Sequence, residues 1–177
     1  MVREYSIENG NEVDLEPLRI GFMEKDDYMF AHANLPIICH DAFINYQGGI
    51  LLVKRKIIPA KEELWPIGGR IQRGVSTKKS LKDKVSAECG LEIYDIQEME
   101  TARHFWETDP FGHGKGTDTP CYVFYAVGVG NLKLDKLHDA PRIVKPENYN
   151  ENFRRELHPY VRDFMDFSMV KLKNERY

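Results

Sequence analysis

The chain has 177 residues, 42% of them hydrophobic, enough to bury one substantial core without a disulfide or structural metal as a staple. A formal net charge of −3 and a pI near 6.1 exclude a global electrostatic attraction to nucleic acid or to an anionic membrane, so any anion site has to be a local cluster. Cys39, Cys89 and Cys121 lack metal-type spacing and are odd in number, which argues against a disulfide framework and fits a reducing cytoplasm. The first residues carry Arg3, Glu4, Glu8 and Glu12 and no long apolar run, so neither a signal peptide nor a spanning helix is expected.

In chain order, residues 24–33 read as a short helix. Residues 36–45 and 49–57 read as two strands joined by the turn Asn45-Tyr46-Gln47-Gly48-Gly49, a hairpin by its chemistry. Trp65 and Pro66 precede tandem glycines, Gly68 and Gly69, which permit a tight turn and close approach of backbone to a ligand. Ser76 offers an N-cap and Gly90 a stop, and between them Leu81, Val85 and Cys89 recur every fourth residue, giving a short helix with one apolar stripe. Glu88 returns to that stripe. A carboxylate beside a buried face needs a local cap, an ion pair or a cation, so Glu88 is the acid whose position asks for an explanation.

Residues 93–106 and 119–129 are rich in apolar and aromatic residues and are expected as core strands bracketing a Gly-rich loop, 109–118. From Pro146 onward, Leu157, Tyr160, Val161, Phe164 and Phe167 fall at helical spacing and should lay an apolar stripe on the sheet. There is no internal repeat or low-complexity linker, so one domain over 1–177 is the simple reading, with a core over about 36–144, an N-terminal extension over 1–35 and a C-terminal helix over 146–177. Strands flanked by helices on both sides make an α/β fold, an α/β/α sandwich about a mixed sheet.

The segment WPIGGRIQRGVSTKKSLKDKVSAECGL, Trp65 to Leu91, resembles the Nudix box: Gly69, Val85, Glu88, Gly90 and Leu91 fit its slots, whereas Val75, Asp83, Lys84 and Ala87 stand where Glu, Arg, Glu and Glu are expected. Other features resemble the GDP-mannose mannosyl hydrolase branch of that family. They are GGRIQ at Gly68 to Gln72, Ala87-Glu88 before Gly90, Gly116-Thr117-Asp118 leading into Tyr122-Val123, and Leu137-His138-Asp139 followed by Arg142. The resemblance runs from about Pro36 to about Val144.

This resemblance implies a Nudix-type fold and water attack on the anomeric carbon of a nucleotide sugar, with a nucleoside diphosphate leaving. It maps the Mg²⁺ ligands onto Glu88, Gly68 and Leu137. Leucine cannot ligate a hard cation, so Mg²⁺ binding is expected to be weakened or absent. His138 maps to the general base, suited by an imidazole that ordinarily titrates near 6.5, although a surface loop histidine is the plain alternative. Asp139 would orient the imidazole or cap a turn.

Arg55, with its neighbour Lys54, and Arg70 map to the diphosphate grip; Asp41 falls near the sugar and Tyr122 near phosphate. Lys84, one helical turn before Glu88, is either an exposed helix pair or an ammonium replacing part of the cation's charge, and so a substrate-binding group. Trp65, Phe105 and Trp106 are stacking platforms or core. The branch also implies a homodimer. The function reads as a nucleotide-sugar hydrolase acting on a small molecule, with neither nucleic acid nor membrane as partner. The alternative is a catalytically weak Nudix domain that binds such a diphosphate as a sensor.

Overall fold

The computed structural model describes residues 2–19, 21 and 23–174; the two tips of the chain expected within the N- and C-terminal extensions lie outside these. Two short strands, β1 (Ile7–Glu8) and β2 (Asn11–Glu12), form a ribbon ahead of helix α1 (Lys25–Asn34). The expected hairpin follows as β3 (Cys39–Tyr46) and β4 (Gly49–Arg55), with Tyr46 opposite Gly49. Gln47 and Gly48 at its tip have φ of 52° and 78°, the two positive values a tight hairpin turn with right-handed strand twist demands. Next come β5 (Leu64–Trp65), β6 (Ile67–Arg70), α2 (Thr77–Cys89), β7 (Glu92–Trp106), β8 (Thr117–Val129), β9 (His138–Val144), α3 (Glu151–Glu156) and α4 (Pro159–Asn174).

The large sheet has the order β5-β4-β3-β8-β7, with β6 also pairing β3 and β9 pairing β4. β3 and β8 run parallel and the other pairs antiparallel, so the sheet is mixed. Alternation along β3 explains the layers: Ala42 and Ile44 point to the core beneath α2, while Phe43 points to the core beneath α4. Leu81 and Val85 are wholly buried, and at roughly 1.5–3 kcal/mol per buried side chain they hold α2 on the sheet. The result is the expected α/β/α sandwich.

Some boundaries move. β3 begins at Cys39 rather than Pro36, a residue with no N–H to give to a ladder. β4 ends at Arg55 rather than Ile57, with Lys56 N–H making one last bond to the carbonyl of Leu137 beyond the start of β9. β7 is an edge strand rather than a core strand. It has one neighbour, register shifts between Tyr94 and Gln97 and between Glu98 and Thr101, and an outward Phe105 that is 71% exposed. Phe167 lies roughly 200° round the helix from buried Met165 and is 49% exposed; Met165, Met169 and Leu172 complete the α4 stripe instead. β9, over His138–Val144, has no counterpart among the expected elements. Among the described residues no helix is long and apolar enough to cross a membrane.

Candidate functional site

α2, which carries Lys84 and Glu88, is fixed at both ends. At the N-terminus the Ser76 side chain accepts from Lys79 N–H at 3.4 Å, and the Glu4 carboxylate accepts from Thr77 N–H and Oγ1 at 2.7 and 2.6 Å. At the C-terminus Gly90 adopts the left-handed conformation, φ 70°, that ends a helix. The chain after β8 then satisfies the last carbonyls: Lys133 N–H donates to Cys89 O at 2.9 Å and Asp135 N–H to Glu88 O at 2.8 Å. That docking sets Asp135 beside α2. Its Oδ1 accepts from Leu137 N–H at 2.9 Å and lies 2.8 Å from His138 Nδ1. A carboxylate oxygen only accepts, so Nδ1 carries the proton and the lone pair of the neutral ring falls on Nε2.

Antiparallel pairing of β9 on β4 places His138 directly opposite Arg55. Glu88, 12% exposed, has Lys84 Nζ 3.5 Å from its Oε1, while its buried Oε2 has no hydrogen-bond partner among the described residues. Burial raises the pKa of Glu88, and the charges of Lys84 and His138 pull it down. The Lys84 side chain crosses Gly69, with Cε and Nζ 3.5 Å from where a Cβ would stand. Gly68 cannot be anything larger, because a Cβ there would fall 2.1 Å from Asp41 Oδ1 and 2.2 Å from His40 O.

In front of this glycine step lies a cavity of about 390 Å³, walled by Asp41, Arg55, Gly68, Gly69 and Arg70 from the sheet and by Trp65, His104, Trp106 and Cys121 deeper in. Its roof is α1 and the loop after β7. Tyr28 meets Phe111 edge-on at 5.2 Å, and His32 Nδ1 lies 2.7 Å from His113 Nε2. Asp109 holds that loop by accepting from the N–H groups of Phe111, His113 and Gly114. The Arg70 guanidinium stacks over Tyr28 at 4.5 Å. Arg55 is anchored by Nε to Pro59 O at 3.0 Å. Asp41 accepts from Tyr160 OH at 2.7 Å; burial pushes its pKa up to about 6 against the opposing pull of Tyr160 and Arg55.

Asp41, Arg55, Gly68 and Arg70 thus converge on the cavity, with Glu88, Lys84 and His138 grouped next to the glycine step. Three further expected site residues join neither the cavity wall nor this group. Lys54, next to Arg55 on a strand, pairs with Glu62 at 3.1 Å. Tyr122 points to the α2 side of β8, opposite to Cys121, and packs on that core. Asp139 is exposed and stands opposite Lys54, so the group that orients His138 is Asp135 rather than the adjacent aspartate. Of the three aromatics, Trp65 and Trp106 line the cavity and Phe105 faces solvent. Sequence reading missed Asp135, whose i to i+3 spacing from His138 was a usable signal, and Tyr160, whose partner is 119 residues away. It also missed His104 and the roof.

This fold is the Nudix fold. It is shared with a MutT NUDIX hydrolase of Burkholderia pseudomallei (TM-score 0.57, 19% identity, covering 75% of this chain and 98% of that one). A MutT protein of Methanosarcina mazei (0.54, 21%, covering 80% and 96%) and a NUDIX hydrolase of Nitrosomonas europaea (0.56, 16%, covering 77% and 89%) share it too. In sequence the chain is similar to the low-salt glycan biosynthesis protein Agl8 of Haloferax volcanii, 27% identical over 160 residues that span 88% of this chain and 95% of Agl8. No protein-family model matches the chain.

Proposed function

We propose that this cavity binds a nucleotide diphosphate sugar and that water, activated by His138, attacks the sugar at its anomeric carbon. The observation that carries the reading is the convergence of Arg55, Arg70 and Asp41 on one cavity, beside a histidine whose tautomer is fixed by Asp135. Guanidinium forks suit the oxygens of a diphosphate, whose charge grows as it leaves. The water oxygen bonds to the anomeric carbon, its proton passes to His138 Nε2, and the C–O bond to phosphate breaks with the electron pair leaving on the diphosphate. Asp41 offers a buried carboxylate for sugar hydroxyls. The similarity to a protein named for glycan biosynthesis favours a sugar-bearing ligand.

A Mg²⁺ at Glu88 and Gly68 does not fit these residues. Lys84 holds an ammonium 3.5 Å from Glu88 Oε1, Asp83 is engaged by Lys79 at 2.6 Å, and Leu137 and Ala87 bring no oxygen. Glu88 Oε2, without a hydrogen-bond partner among the described residues, lies on a carboxylate that already faces an ammonium, so a dication there would have to displace Lys84 and draw most of its octahedral ligation from water. The same depletion favours a second reading, in which the ligand is bound and not turned over. Incubation with GDP-mannose in ¹⁸O-water separates the outcomes. Label in free mannose supports the mechanism, binding without turnover supports the sensor reading, and label in the phosphate, from P–O cleavage, overturns both.

A further inference from the structure

A second cluster in the cavity wall carries a function of its own. β3, β8 and β7 are consecutive neighbours, with Cys39 paired to Cys121 and Cys121 paired to Ala102. Asp41 lies two residues from Cys39 and His104 two from Ala102, so alternation puts Asp41, Cys121 and His104 on one face, on a diagonal across three strands. One ligand atom from each lies within 4.8 Å of the other two. All three border the cavity.

We propose that Asp41, His104 and Cys121 form a binding site for a zinc-class divalent cation, with an open coordination position facing the cavity. The donor set selects the metal: one carboxylate oxygen, one imidazole nitrogen and one thiolate sulfur suit Zn²⁺, whereas Mg²⁺ and Ca²⁺ want oxygen alone. Three protein ligands leave the fourth tetrahedral position for water or a ligand atom. Bonds of about 2.0–2.3 Å separate ligand atoms by roughly 3.3–3.8 Å, so the side chains need close by only about 1 Å around an ion.

A hydrogen-bonded cluster with no ion accounts for less. Among the described residues His104 Nε2 is buried with no hydrogen-bond partner, although a carboxylate and a thiol belong to the same cluster. Asp41 already has the supporting contacts of a ligand carboxylate, since Tyr160 OH donates to its Oδ2 at 2.7 Å and Trp65 hydrogen-bonds to it as well, while the Cys121 thiol that also hydrogen-bonds to it would give up its proton to coordinate as thiolate. Burial penalises an uncompensated carboxylate here, and a dication compensates it. The site is separate from Glu88 but shares Asp41 and the cavity with the proposed sugar site, and a metal titration without substrate tests it apart from turnover.

The test is titration of chelator-treated protein with Co²⁺, a spectroscopic stand-in for Zn²⁺. We expect one equivalent to bind with a thiolate-to-cobalt charge-transfer band and to be displaced by Zn²⁺. The band should vanish in Cys121→Ser and persist in Cys39→Ser, and Tyr160→Phe should weaken binding about 10–100-fold. Wild-type protein that binds no cobalt, binds it without the sulfur band, or keeps the band in Cys121→Ser overturns the proposal. The wild-type titration decides even if a variant fails to fold.

Discussion

Replacing Lys84 by methionine keeps the length of the side chain and deletes its charge. The pair it forms with Glu88 is not an exposed one, since the side chains are 29% and 12% exposed and the ammonium lies 3.5 Å from Oε1. At an effective dielectric of about 20 that separation is worth roughly 5 kcal/mol of attraction before desolvation, so its loss leaves a carboxylate that cannot comfortably stay charged. Glu88 escapes by taking up a proton. Neutralising a carboxyl of ordinary pKa about 4.3 costs about 1.4 kcal/mol per pH unit, which caps the destabilisation near 3.7 kcal/mol at pH 7 and near 1 kcal/mol at pH 5.

We therefore expect Lys84→Met to lose about 2–3.5 kcal/mol in urea unfolding at pH 7 and under about 1 at pH 5, with Glu88→Gln added to it restoring most of the loss. In EDTA the wild type should still bind GDP-mannose, and Lys84→Met should bind it at least tenfold more weakly, because the ammonium supplies the positive charge beside the glycine step. A loss of about 0.3–0.5 kcal/mol that is the same at both pH values, the signature of an exposed helix pair, would refute the reasoning. An unchanged dissociation constant would sink its ligand-binding half.

His138→Gln should lower sugar release by about 10²–10⁴-fold with KM little changed, measured as free mannose from GDP-mannose; equal turnover removes His138 from the mechanism. Asp135→Ala, which frees the ring, should cut kcat at least tenfold without moving KM, whereas a loss shared by KM would mark a structural role. Leu137→Gln should add an oxygen ligand near Glu88 and raise Mg²⁺ affinity in isothermal titration, and identical affinities would misplace Leu137. Burial pushes the pKa of His40 and of His104 down to about 4 and that of Asp41 up to about 6. As pH falls from 6.5 towards 4, the unfolded chain takes up two histidine protons that the folded chain refuses, while folded Asp41 takes up one that the unfolded chain refuses until near 4. His32 and His158, also shifted down by burial, add to the histidine side, and Glu88, shifted up by burial, adds to the Asp41 side. Metal-free protein should thus lose stability on acidification, at roughly 1.4 kcal/mol per pH unit, and His40→Gln should flatten the trend. A melting temperature that holds steady from pH 6.5 to 4.5 would contradict these burial effects.

The sequence by itself determined α2 from its Ser76 cap to its Gly90 stop, the β3–β4 hairpin, the glycine step and the isolation of Glu88, because caps, turns and period-four stripes are written within a few residues of one another. It also put Lys84 one turn before Glu88, and the pair is there. Only the tertiary structure decided which basic residue enters the cavity. Arg55 does and Lys54 does not, since alternation along β4 depends on a register set by β9, itself unforeseen because its pairing partner is distant in sequence. The burial of Asp41 against Tyr160, the tautomer of His138 fixed by Asp135, and the diagonal of Asp41, Cys121 and His104 arise where β3, β7, β8, β9 and α4 meet. Such contacts join residues up to 119 positions apart, and no local pattern encodes a distance that only the packed sheet creates.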